Sequence, residues 1–96
     1  TLYQQKRYED ALILLEEAVR INREKGSYFL LLALVESKLP TMRKKAEEDF
    51  LRAIKLDPWN PECYVGLGLF YKREGLKARS VKQFKKALEL DPEHTL

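Results

Sequence analysis

One cysteine, one histidine and one tryptophan are all that 96 residues supply, and each scarcity removes a class of function. Cys63 has no second cysteine to pair with, so no internal disulfide framework is possible, and with a single histidine, His94, a structural zinc site has too few ligands. Long apolar runs are missing as well. The longest, Tyr28 to Val35, spans 8 residues and falls far short of a bilayer. With no signal-peptide pattern at the start, the chain reads as soluble, cytoplasmic in preference to exported, although a mature exported protein would look the same. No serine, cysteine or acidic pair stands at a telling distance from His94. Gly66-x-Gly68 lacks the strand and third glycine of a phosphate loop. The reading is therefore not an enzyme, with no catalytic residue, no metal and no cofactor.

Charge excludes less. Lys and Arg number 18 against 15 Asp and Glu, a net +3, which is well short of the dense basic stripe that nucleic acid demands. Arg43-Lys44-Lys45 and the set Lys77, Arg79, Lys82, Lys85 and Lys86 could line a basic outer surface, but acidic residues on adjacent turns dilute it. Nucleic-acid binding is the least favoured of the binding readings. The acidic run Glu47-Glu48-Asp49 reads as the solvated face of a helix.

What is present is periodicity. Tyr64, Leu67, Gly68 and Tyr71 recur at steps of three and four and share one face of a helix. Asn60 is placed to cap it, Pro61 suits its first turn and Glu62 favours its positive end. Gly75 supplies the positive φ that turns the chain. Ser80, Phe84, Ala87 and Leu88 then mark a second amphipathic helix that Asp91-Pro92 ends. Two helices joined by so short a turn lie antiparallel.

The pattern Tyr-x2-Leu-Gly-x2-Tyr, then Gly, Ser, Phe, Ala and Pro, resembles the tetratricopeptide repeat, whose period is about 34 residues. Tyr64 takes the place of the motif's Trp and Ser80 that of its first Ala; Leu67, Gly68, Tyr71, Phe84, Ala87 and Pro92 match. The second-helix signature returns upstream as Ala46, Phe50, Ala53 and Pro58, 34 residues earlier, and as Ala11, Leu15 and Ala18, a further 35 earlier. The resemblance covers the whole chain. It implies an all-α fold of antiparallel helix-turn-helix repeats stacked as a right-handed α-solenoid. One domain, 1–96, would divide into a partial repeat at 1–25, mainly its second helix, and full repeats at 26–60 and 61–94.

Several local expectations follow. Thr1 to Gln5 read as the tail of a first helix, Lys6-Arg7 as its turn, and Tyr8 to Ile21 as the second helix, with Ala11, Leu12, Leu15, Ala18 and Val19 as its apolar face. Such a start suggests a piece of a longer chain. In the middle repeat Ser27 is a candidate cap, Phe29 stands at the Trp place, Leu32 at the Leu place and Ala33 at the small-residue place. Glu36 departs from the pattern by occupying the Tyr place. The extra residue falls in the turn Ser37 to Thr41, where Pro40 adds rigidity and Thr41 is a candidate cap. A register one residue later would remove the insertion but put Leu34 where a small residue is needed, and the first register is preferred. Met42 to Leu56 form the next helix.

First helices in this family line the inner wall on which peptides lie. The corresponding positions here are Ser27, Leu30, Leu34, Ser37 and Lys38, then Glu62, Val65, Leu69, Lys72 and Arg73. The resemblance thus implies a protein-interaction scaffold whose groove has an aliphatic centre of Leu30, Leu34, Val65 and Leu69 and a basic margin of Lys38, Lys72 and Arg73. The aliphatic residues could equally pack against neighbouring helices, and the cations could simply complement a helix dipole. Residues such as Val65, Gly66 and Leu69 stand where some members carry a Lys/Asn/Arg carboxylate clamp, so capture of chaperone C-termini is disfavoured. The partner is a protein or peptide, with self-association through exposed repeat edges, Phe84 and Leu88 among them, as the alternative. Trp59 sits in the joint 57–61 and is read as a plug between repeats before a binding hot spot. Cys63 is read as a small core residue.

Overall fold

The computed structural model describes residues 1–93. It consists of α1 (Leu2–Ile21), α2 (Gly26–Glu36), a 3-10 turn (Pro40–Met42), α3 (Arg43–Leu56), α4 (Pro61–Arg73) and α5 (Lys77–Leu90), with no strand among the described residues. Neighbours in sequence are neighbours in space. α2 pairs with α3 and α4 with α5, α1 lies against α2, and α3 meets α4.

Burial repeats with the sequence. Ala46, Phe50 and Ala53 of α3 are buried, as are Ser80 and Ala87 of α5. These small residues let each second helix approach the first helix of its pair, and Phe50 packs on Phe70 with ring centres 5.8 Å apart. Phe84 is half-buried rather than exposed at an edge, because its ring lies over Gly68, where a Cβ would come within 2.5 Å of Cε1. Val81 and Leu88 do face outward. In α2, Leu32 and Ala33 are buried while Leu34 is not, which is the register expected. The extra residue of the 35-residue step is taken up by the 3-10 turn.

The end of α4 follows its sequence closely. The Asn60 side chain accepts from the Glu62 amide at 3.0 Å, and Gly75 has φ 79°. Tyr64 donates its hydroxyl to the Pro58 carbonyl at 3.0 Å, fastening the joint.

Four local expectations are corrected. No turn falls at Lys6-Arg7; α1 is one helix, since nothing between Leu2 and Ile21 is Gly or Pro and Lys and Arg are good helix formers. Its expected inward face is nonetheless right, with Leu12, Leu15 and Val19 packed on the core. Ser27 lies inside α2, whose cap is Lys25 without a side-chain bond, because the helix begins at Gly26. Only glycine fits there: a Cβ would sit 2.8 Å from Asp57 Cβ and 3.1 Å from the Ala53 carbonyl. Thr41 lies within the 3-10 turn and Met42 occupies the cap of α3, again without a side-chain bond. Trp59 does not plug the seam. It is 78% exposed, and Tyr64 fills that role instead.

Candidate functional site

The first helices α2 and α4 touch each other, forming one wall. Of the aliphatic positions expected on it, Leu69 is 50% exposed and Leu34 37%, and Val65 is half-buried. Leu30 lies deeper. It is buried, and its Cδ1 would stand 3.2 Å from a Cβ at Gly66, so it wedges α2 against α4 beneath the wall. Leu31 joins the exposed set, although sequence reasoning passed over it. The repeat pattern gives no signal for it: Leu31 occupies the place of Gly66, which in the next pair packs closely on Phe50 and Leu30.

The cations gather at one end. Lys38, Lys72 and Arg73 are exposed. Arg73 Nη1 donates to the Ser37 carbonyl at 2.9 Å, tying the C-terminus of α4 to that of α2. Beside it, a cleft of about 120 Å³ is lined by Ser37, Lys38, Arg43, Phe70, Arg73 and Glu74, and Arg43 lies 3.5 Å from the Glu74 carboxylate. Lys38 and Arg73 are thus brought together, while Lys72 stands outside the cleft.

The Tyr-place departure has a physical consequence. Glu36 is fully buried, neither carboxylate oxygen has a hydrogen-bond partner, and Lys45 Nζ of α3 stands 3.7 Å from Oε2. Lys45 also reaches Asp49 at 2.8 Å. Burial, and then the nearby Asp49 carboxyl, push Glu36 up to about 8 against the opposing pull of Lys45. In the next pair Tyr71 holds the same place, and its hydroxyl donates to Glu47 at 2.7 Å. Burial first, then Glu47, push the Tyr71 phenol up to about 12. The run Glu47-Glu48-Asp49 is therefore not a solvated face. Asp49 is buried, Glu47 is half-buried and only Glu48 points to water. Cys63 is a core residue, its thiol pushed up to about 11 by burial and then by Asp57 and Glu62. His94 lies outside the described residues. Among the described residues no group of His, Cys, Asp and Glu could hold a metal ion, and no helix is long and apolar enough to cross a membrane.

Comparison with known proteins agrees with this geometry. Residues 61–94 match the family described as the tetratricopeptide repeat. Tetratricopeptide repeat protein 37 of Xenopus laevis is 34% identical over 94 residues, covering 93% of this chain and 6% of that protein. The probable UDP-N-acetylglucosamine–peptide N-acetylglucosaminyltransferase SPINDLY of Petunia hybrida is 31% identical over 94 residues, covering 97% of this chain and 10% of its own length. The chain thus spans a tenth or less of these curated relatives. Among solved structures, the Arabidopsis OM64 tetratricopeptide-repeat domain superposes with a TM-score of 0.86 at 24% identity, over 97% of this chain and 76% of that one. The fold is a helical-repeat solenoid, residues 61–94 are a tetratricopeptide repeat, and the chain is similar to tetratricopeptide-repeat proteins along its length.

Proposed function

We propose that the chain is a protein-interaction module that takes a peptide or helix of a partner along the wall of α2 and α4. Leu34, Val65 and Leu69, with Leu31 beside them and Leu30 as their buried support, supply apolar anchorage. Lys38 and Arg73, with Lys72 nearby, receive an acidic end. The observation that carries this reading is that Leu34 and Leu69 stay exposed at equivalent places on adjacent first helices, at 37% and 50%. Standing on two helices that touch, with Leu31 also exposed, they supply the kind of apolar surface that marks an interaction site. The test is affinity capture with the full-length protein and its Leu34→Glu and Leu69→Glu variants. Loss of the captured protein with an unchanged melting curve supports the wall, and unchanged capture rejects it.

A second reading rests on α1. Its outer side leaves Tyr3, Leu14 and Ile21 at 71%, 73% and 74% exposure, and these residues fall on one stripe. Self-association would cover them. Light scattering over a dilution series to millimolar concentration checks it, with monomer throughout as the contrary result.

A further inference from the structure

We propose that the chain carries a second docking surface, the groove between the second helices α3 and α5, and that this groove takes an acidic amphipathic helix. Its volume is about 550 Å³, within the range of ordinary ligand clefts. Leu51, 48% exposed, the half-buried Ile54 and the edge of Tyr64 form the floor, and Lys82, Lys85 and Lys86 line it together with a single carboxylate, Glu89.

The internal repeat provides the control. One repeat earlier, a groove of about 570 Å³ lies between α1 and α3, with Phe29 in the place of Tyr64 and Val19 in that of Ile54. There Glu16 stands where Leu51 stands, and four cations face three carboxylates on the lining, against three cations and one carboxylate in the α3–α5 groove. Arg52 closes that floor by laying its guanidinium 5.5 Å from the centre of the Phe29 ring. Its counterpart in the second groove, Lys86, instead stands 3.7 Å from Glu89, while Tyr64 and Phe29 are equally buried at 7%. Lys82 and Lys85 form no ion pair among the described residues. The two grooves share a backbone and differ where apolar contact and cation excess are decided. The α3–α5 groove therefore complements a segment that carries leucine-like side chains on one side and carboxylates on its flanks. A nucleic acid would use the same lysines, but Tyr64 is 7% exposed and presents no ring face for a base to stack on.

The probe is a synthetic helix of about sixteen residues with leucines three and four apart and glutamates elsewhere. It is titrated into the protein while the methyl resonances of Leu51, Ile54, Leu34 and Leu69 are followed. Saturable shifts at Leu51 and Ile54, weakened about tenfold by Lys82→Glu/Lys85→Glu and unaffected by Leu69→Glu, are the expected result. Shifts confined to Leu34 and Leu69 would overturn this second site while leaving the wall of α2 and α4 standing. Equal binding of the same peptide with lysine for glutamate would also overturn it. So would binding of an RNA oligonucleotide with a steep salt dependence and no binding of the acidic helix, which would make the lysines a phosphate surface.

Discussion

Lys45 Nζ stands 3.7 Å from Oε2 of Glu36, a carboxylate with no exposed surface, and the same relationship recurs in the next pair with different chemistry. There Arg79, the repeat counterpart of Lys45, lies 5.8 Å from the ring of Tyr71, the counterpart of Glu36. A cation on the second helix thus meets a residue in the last turn of the first helix, beside a buried carboxyl in one repeat and over an aromatic face in the other.

Glu36 makes stability depend on pH. Its carboxyl titrates near 8 in the folded chain against 4.5 in an unperturbed one, so between these values the folded state holds a proton that the unfolded state has lost. The contribution of Glu36 to stability is therefore greatest below 4.5, falls as pH rises towards 8, and levels off above it. Glu36→Gln removes this slope and raises stability at pH 8 by about 1 kcal/mol, a shift of several degrees in a domain of this size. Thermal melts of both proteins from pH 4.5 to 9 check it, and parallel curves would refute it.

The two signature phenylalanines are not equivalent. Phe50 is 1% exposed, whereas Phe84 is half-buried. Phe50→Ala should cost about 3–5 kcal/mol and Phe84→Ala about 1–2 kcal/mol, measured by urea denaturation. Equal losses would contradict the placement.

Gly68 is required by Phe84 rather than by its own backbone angles. An added Cβ would lie 2.5 Å from Cε1 and 2.7 Å from Cδ1 of that ring. Gly68→Ala should destabilise by about 1–3 kcal/mol. Combining it with Phe84→Leu should cost less than the sum of the two changes, because the smaller side chain yields space.

Burial separates the groove leucines. Leu30→Glu places a carboxylate beneath Gly66 and should unfold the chain, a loss above about 3 kcal/mol. Leu34→Glu, Leu69→Glu and Trp59→Ala change exposed positions and should each alter stability by no more than about 0.5 kcal/mol. Circular-dichroism melts distinguish the two groups.

Repetition made the array legible. A signature of Ala, Phe, Ala and Pro at a fixed step located α3 and α5, and Asn60-Pro61 and Gly75 bounded α4, because caps and positive-φ turns have specific residue chemistry. The family's turn falls on Lys6-Arg7 by register, but these two residues favour helix and α1 runs straight through them. The place of Trp59 in the joint points to the seam, yet Tyr64 both fills that space and bonds Pro58. The burial of Asp49 was hidden for a similar reason. Three acids in a row suggest solvent, and only the approach of Glu36 on α2 to Lys45 and Asp49 on α3 shows that one of them turns inward.

The wall of α2 and α4 is tested most directly with a peptide selected from a displayed library against this chain and titrated into isotope-labelled protein. Saturable amide and methyl shifts that run from Val65 and Leu69 through Leu34 to Lys38 and Arg73, abolished by Leu69→Glu in a protein that still melts normally, are the predicted result. Selected peptides that leave Leu34 and Leu69 unperturbed and bind the Leu69→Glu protein with the same affinity would contradict it.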